Sequence, residues 1–206
     1  MTQLFQVHPD APQRRLLHGA SEILRQGGVI VYPTDSAYAL GCRMGERDAL
    51  ERIRQLRQLA PTHHFTLACR SLSEVSSYAR ISNPAYRTIK ALTPGPYTFV
   101  LPGTKLVPKR LMHPRQRTIG LRVPDHPIAQ MLLDVLGEPL MTTTLILPGE
   151  PEPLADPEEI RERLRGRVEL VVDGGPGGLE PTTLVDLTQD APQVLRAGKG
   201  DPDRLA

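Results

Sequence analysis

Hydroxyl and guanidinium groups gather where strands are expected to end. Thr34, Ser36, Thr118, Thr142 to Thr144 and Thr182-Thr183 all stand at or beside such ends, accompanied by Arg122 and Arg196. Hydroxyls and guanidiniums are the groups that hold phosphate and carboxylate oxygens. Together they point to a pocket for an anionic ligand, although each threonine alone is equally explained as a good strand residue. Other chemistries are poorly represented. Neither G-x-x-x-x-G-K-S/T nor G-x-G-x-x-G occurs. Gly174-Gly175-Pro176-Gly177-Gly178 follows a strand with no helix behind it and reads as a loop. His63 and His64 are adjacent, so their rings point apart, and no third ligand is evident; no metal site is expected. Carboxylates are scattered, with no pair suited to general acid–base work.

The elements that must position these groups are legible from the pattern. Gly27-Gly28 ends a helix whose apolar positions are Leu16, Leu17, Ala20, Ile23 and Leu24. Val29 to Tyr32 then reads as a strand buried on both faces, and Pro33 stops its ladder. Thr34, Asp35, Ser36 and Tyr38 follow at the strand's carboxyl end, where open α/β sheets bind ligands. The same residues also fit an ordinary strand exit in which Thr, Asp and Ser cap the next turn. Arg47 to Arg57 is a second amphipathic helix, with Arg57 at the end where a cation favours the helix dipole.

Further along, Phe65 to Cys69, Tyr97 to Leu101, Thr118 to Pro124, Leu140 to Leu147, Val168 to Asp173, Thr182 to Leu187 and Val194 to Arg196 read as strands. Helices are expected after Ser71, which opens a capping box with Glu74, at Asn83-Pro84, from Asp125 or His126 to Gly137, and at Asp156-Pro157. Interleaved helices and strands mean α/β. With no repeat, linker or composition break, residues 1–206 are expected to form one domain with a core over about 14–200.

Composition narrows the classes. A chain of 206 residues suits one well-buried core, and 21 prolines imply many fixed turns. Net charge is only +2, so no global drive toward nucleic acid exists, but Lys105, Lys109, Arg110, Arg115, Arg117 and Arg122 form a local basic group. The two cysteines, Cys42 and Cys69, form neither a disulfide framework nor a thiolate zinc motif. No apolar run approaches the roughly 18 residues of a membrane span. Met1 to Gln13 lacks the pattern of a signal peptide. A reduced, cytoplasmic protein is expected.

Five stretches carry a resemblance: Gly27 to Gly41, Thr93-Pro94-Gly95-Pro96-Tyr97-Thr98, Ile119 to Pro124, Pro181 to Asp186, and Leu195-Arg196-Ala197-Gly198. In this order they resemble the YrdC/YciO-type domain, and the whole is most similar to the YciO branch. The resemblance implies a twisted open mixed α/β sheet with helices on its faces and a concave, positively charged face. The family's best-known members join threonine, bicarbonate and ATP into threonylcarbamoyl-adenylate for tRNA modification. Carried over by position, Thr34, Tyr38, Arg122, Thr142, Thr182 and Thr183 are implied to hold threonine. Arg57, Thr118, Thr144 and Arg196 are implied to hold nucleotide. Arg57, Thr118, Arg122, Thr144 and Arg196 are therefore expected to line one cavity. No tightly bound cofactor is implied, and Mg2+ is expected only in company with ATP. The alternative is a module that binds double-stranded RNA or tRNA without catalysis, through Lys105, Lys109, Arg110, Arg115 and Arg117. Two departures stand out. The synthases carry Lys-x-Arg where this chain has Arg57-Gln58-Leu59, and Ser-x-Asn where it has Thr144-Leu145-Ile146. One cation and one amide are replaced by apolar side chains, so weak or absent synthase activity is expected, with binding or breakdown of the adenylate as the related possibility.

Overall fold

The first expected helix ends at its glycine. In this computed structural model, which describes residues 1–63 and 65–205, β1 (Gln3–Gln6) leads into α1 (Arg14–Arg25). Gly27 takes φ +81°; its N–H donates to Leu24 O at 3.0 Å, and the Gly28 N–H donates to Ile23 O at 2.9 Å. These are the two bonds of a Schellman cap, and the positive φ is what glycine supplies. The chain then enters β2 (Ile30–Tyr32), buried along its whole length, and leaves it at Pro33.

After β3 (Ala39–Arg43) come α2 (Arg47–Arg57), β4 (Thr66–Ala68), α3 (Leu72–Tyr78), α4 (Asn83–Leu92), β5 (Tyr97–Pro102) and β6 (Thr118–Arg122). They are followed by α5 (Pro127–Leu136), β7 (Leu140–Thr144), α6 (Pro157–Arg163), β8 (Leu170–Asp173), β9 (Thr183–Asp186) and β10 (Gln193–Arg196). Side chains cap several helices as their sequences require. Ser71 Oγ accepts from Glu74 N at 3.3 Å, and Asp156 Oδ1 accepts from Glu159 N at 2.8 Å. At α5, His126 Nδ1 accepts from Ile128 N at 3.2 Å.

Two strands, β1 and β3, escape the sequence pattern. Strand β1 is a short edge strand that gains its ladder only by pairing with β8, more than 160 residues away. In β3, alanine and a central glycine have low strand propensity, and the strand exists because β2 and β7 flank it. The strand expected over Leu140 to Leu147 stops at Thr144, where Ile146 N turns back to donate to Thr144 O.

Ten strands make one mixed sheet in the order β1-β8-β2-β3-β7-β4-β6-β5-β9-β10. Helices α2, α3, α4 and α6 cover one face, burying Leu40, Leu67, Phe99, Leu121 and Val171. The other face is covered only in part. Helices α1 and α5 pack side by side over Ile30, Tyr32, Leu140, Leu170 and Val172. Beyond them the face of β6, β5 and β9 holds no member of that core cluster and stays open. Among the described residues, no helix is long and apolar enough to cross a membrane.

Register decides what that open face carries. Thr66 lies opposite both Thr142 and Gly120, Ala68 lies opposite Arg122, and Thr98 lies opposite Leu184. Because side chains alternate, all of these share the open face with Ala39 and Thr144. Gly120 sits at the centre of this floor. A Cβ there would lie 2.7 Å from Thr66 Oγ1, 3.1 Å from Phe65 O and 3.2 Å from Thr98 Cγ2. Gly120→Ala is therefore expected to lower stability by about 1–3 kcal/mol through overpacking. Thermal unfolding checks this: the melting temperature falls by roughly 2–12 °C for a domain of this size.

Candidate functional site

Three arginines from three different elements converge on one cavity. Arg57 comes from the last turn of α2, Arg122 from the end of β6 and Arg196 from the end of β10. Together with six threonines, Thr66, Thr98, Thr142, Thr143, Thr144 and Thr182, they line a cavity of about 210 Å³. Ala37, Ala39, His63, Ile146 and Leu184 complete the walls. Among the described residues no carboxylate lines it.

Each arginine is held differently. Arg57 donates from Nε to Ile146 O at 2.8 Å and from Nη1 to Thr143 Oγ1 at 2.7 Å. Burial, with the nearby charge of Arg196, pushes its pKa down to about 10. Arg196 donates from Nη2 to Thr182 O at 2.8 Å, and burial lowers its pKa as well. Neither side chain has an ion-pair partner among the described residues. Two desolvated cations facing one hollow, with only neutral acceptors, favour an anion in it.

Arg122 is the exception. Its Nη2 donates to Asp35 Oδ1 and its Nη1 to Ser36 Oγ at 3.3 Å. The pair is buried, with side chains 6% and 9% exposed. Asp35 Oδ2 and Arg122 Nε have no hydrogen-bond partner. Arg122 thus serves the fold and the cavity at once.

The hydroxyls are arranged by the sheet. Tyr32 Oη, on the same face of the sheet, donates to Thr142 Oγ1 at 2.9 Å, and Thr142 Oγ1 in turn donates to Leu40 O at 3.2 Å. Burial raises the Tyr32 pKa, so its proton stays in place. Thr98 and Thr182 share a 2.7 Å hydrogen bond between their hydroxyls.

Of the residues implied to hold threonine or nucleotide, Arg57, Arg122, Thr142, Thr144, Thr182 and Arg196 meet in this cavity. Thr34, Tyr38, Thr118 and Thr183 do not line it. Thr34 Oγ1 donates to Ala37 O at 2.7 Å and accepts from Ser36 N and Ala37 N, which is the turn-capping alternative. Tyr38 is fully buried, its hydroxyl donating to Gly175 O at 2.7 Å and accepting from Gly174 N at 3.1 Å. Burial pushes its pKa up to about 12. Thr183, also fully buried, faces away from the cavity and ties down the C-terminal segment through Gly200 O and Gly198 N. Thr118 shares the open face but is covered, and its hydroxyl has no partner.

The two departures separate as well. Ile146 faces the cavity, whereas Leu59 lies outside it, in a shallow hollow with Glu51, Arg54, Gln55 and Pro61. The sequence reading passed over Thr66, Thr98 and His63 as cavity residues. Thr66 and Thr98 become visible only once strand pairing sets them beside Thr142 and Arg122. His63 was weighed only as a metal ligand, and His64 lies outside the described residues. Among the described residues no cluster suited to a metal ion occurs.

The basic group stands apart. Lys105, Lys109 and Arg117 join Arg80 around a separate cleft of about 460 Å³, floored by Val107 and Met112. Arg110 instead donates to Gly45 O at 2.6 Å, and Arg115 is exposed.

Removing one member of a buried pair strands the other charge. Asp35→Ala and Arg122→Met are each expected to cost about 3–5 kcal/mol of stability. The double substitution should cost less than the sum. Denaturant unfolding of the two single variants and the double variant checks this, and strict additivity would show that the pair is not coupled.

Comparison with known proteins agrees with this geometry. The family model Sua5/yciO/yrdC, described as "Telomere recombination", matches residues 22–198. The chain is 55% identical over 201 residues to an uncharacterized protein YciO of Escherichia coli strain K12, covering 98% of both. It is 34% identical to a threonylcarbamoyl-AMP synthase of Halorhodospira halophila, covering 84% of this chain and 90% of that one. The crystal structure of E. coli YciO superposes with a TM-score of 0.97 at 54% identity, covering all of both chains. Pyrococcus abyssi Sua5, crystallised in complex with L-threonine, superposes with a TM-score of 0.87 at 26% identity, with 96% of this chain matched to 58% of that longer one. A family match across most of the chain, close identity to YciO and a shared fold lead to one conclusion: this chain belongs to the Sua5/YciO/YrdC family.

Proposed function

We propose that the cavity binds an adenylate-type anion and that the chain acts on threonylcarbamoyl-AMP or its precursors, ATP, threonine and bicarbonate, in or near tRNA threonylcarbamoyladenosine metabolism. The observation that carries this reading is the convergence of Arg57, Arg122 and Arg196 on a hydroxyl-lined hollow that, among the described residues, no carboxylate lines. Membership of a family that includes threonylcarbamoyl-AMP synthases, one of them crystallised with L-threonine, supplies the ligand class.

Size refines it. A hollow of about 210 Å³ is below the roughly 300–1,000 Å³ that encloses a drug-sized ligand. It suits the charged junction of the ligand, the α-phosphate with its acyl group, while the rest extends over the open face. Since no carboxylate lines it among the described residues, Mg2+ would enter on the phosphates of the nucleotide itself.

Ile146 is the cavity residue that argues against a triphosphate. A buried phosphate oxygen facing its side chain lacks a donor, a loss of about 1–3 kcal/mol, and each 1.4 kcal/mol is about tenfold in affinity. AMP is therefore expected to bind at least as tightly as ATP, each with threonine present. Calorimetry checks the order. Clear preference for ATP, with pyrophosphate released when bicarbonate is added, would assign the chain as a synthase instead.

A second reading rests on the other cleft. Arg80, Lys105, Lys109 and Arg117 surround it with no ion-pair partner among the described residues. Such a patch fits a phosphate backbone, and an RNA-binding module would reveal itself by affinity that falls linearly with salt on logarithmic axes.

A further inference from the structure

We propose that the basic cleft beside Gly103 is a second ligand site and that it takes a free nucleoside polyphosphate. The inference goes beyond both readings above and does not depend on the adenylate reading, since the cleft and the cavity share no lining residue.

The cations reach the cleft from separate parts of the chain. Arg80 follows α3, Lys105 and Lys109 lie after β5, and Arg117 precedes β6. Backbone hydrogen bonds tie these segments together. Arg80 N donates to Pro102 O at 2.8 Å, Thr104 N to Tyr78 O at 2.9 Å, and Gly103 N to Arg117 O at 3.0 Å. The Thr104 hydroxyl donates to Ser77 O at 2.9 Å and accepts from Leu106 N at 3.3 Å, which fixes the turn that carries Lys105. Arg117 has a left-handed backbone, φ +56°, which residues other than glycine rarely adopt. The fold accepts that strain to hold an arginine at this place.

The lining is apolar as well as basic. Val107 is buried and Met112 half-buried. Gly103 makes room for the methionine: a Cβ there would lie 2.7 Å from Met112 Sδ, so the thioether packs directly against the backbone. A thioether is a soft, polarizable surface that suits an aromatic ring. Gln116 adds a side-chain amide, with donors and an acceptor for the edge of a base. A base on Met112 with phosphates on the cations uses all of these groups. A simple inorganic anion would leave the thioether and the amide idle.

Size favours a discrete ligand over a polymer. The cleft volume of about 460 Å³ falls within the roughly 300–1,000 Å³ of small-ligand sites. The rest of the basic run does not extend it into a track. Arg110 turns aside to donate to Gly45 O at 2.6 Å, and Arg115 is not in the lining. Charge favours several phosphates over one. Among the described residues no carboxylate lines the cleft, and its four cations have no ion-pair partner. Like charges gathered on one cleft repel each other. A chain of phosphates meets the whole set, and a monophosphate meets only part of it.

The test titrates the full chain with ATP by calorimetry, without threonine or bicarbonate, and follows the methyl signal of Met112 by NMR, assigned through Met112→Leu. The Met112 signal should move as ATP binds. Lys105→Ala and Arg117→Ala should each weaken ATP about 2–5-fold, the range of solvent-exposed charge contacts, and the double variant about 4–25-fold. Arg15→Ala, which removes an exposed cation of α1 outside the cleft, should leave ATP affinity unchanged. Inorganic triphosphate should bind more weakly than ATP. A Met112 signal that stays in place at saturating ATP would overturn the proposal, as would a double variant that binds ATP like wild type. Triphosphate binding as tightly as ATP would overturn the nucleoside part of it. A single-stranded oligoribonucleotide that moves the Met112 signal where ATP does not would overturn it in favour of RNA.

Discussion

The ion pair between Asp35 and Arg122 holds the site together. Asp35 lies in the segment that leaves β2, and Arg122 ends β6; in the sheet those strands are separated by β3, β7 and β4. The pair therefore spans three strands and draws the segment after Pro33 over the open face, where Ala37 becomes cavity wall. Lys199, reaching from the C-terminal segment, donates to Asp35 O and fastens the same segment from above. Two charges this deeply buried are costly to desolvate, and two of their polar atoms remain without partners. Arg122 is thus committed to the fold through Asp35.

The other two arginines are in the opposite condition. Arg57 and Arg196 repel each other and are satisfied only by neutral oxygens, so their charge is uncompensated until an anion enters. The fold thus divides the arginines: Arg122 completes a structural pair, and Arg57 and Arg196 have no ion-pair partner among the described residues. The division follows from which carboxylate lies within reach, since Asp35 is the partner that the turn after β2 supplies.

The asymmetry of the sheet explains why the hollow lies where it does. Helices α2, α3, α4 and α6 pack on one face, while on the other α1 and α5 cover only the half around β8, β2 and β3. The uncovered strands present threonines and a glycine, all small residues. Tyr32, at the boundary, passes a hydrogen bond from the buried half into the cavity lining through Thr142. Polar chemistry is thereby placed on a rigid sheet, which fits a site that works by positioning.

What the sequence alone determined is local. The Schellman glycine after α1, the caps at Ser71 and Asp156, the buried strand before Pro33 and the α/β alternation are written in contacts between residues a few positions apart. Motif resemblance extended this to Arg57, Arg122 and Arg196, because the stretches around them stand in a recognisable order. Pairing across the sheet was not legible. Strands β1 and β3 exist through partners distant in sequence. Thr66 and Thr98 join the cavity through register. Thr34, Tyr38 and Thr183 are drawn away from it by hydrogen bonds to Ala37, Gly175 and Gly200. Leu59 and Ile146 looked equivalent as apolar replacements, yet only Ile146 faces the hollow. A side chain's chemistry is set by its type, but whether it meets a ligand depends on which neighbours satisfy it first, and those neighbours are chosen by tertiary packing.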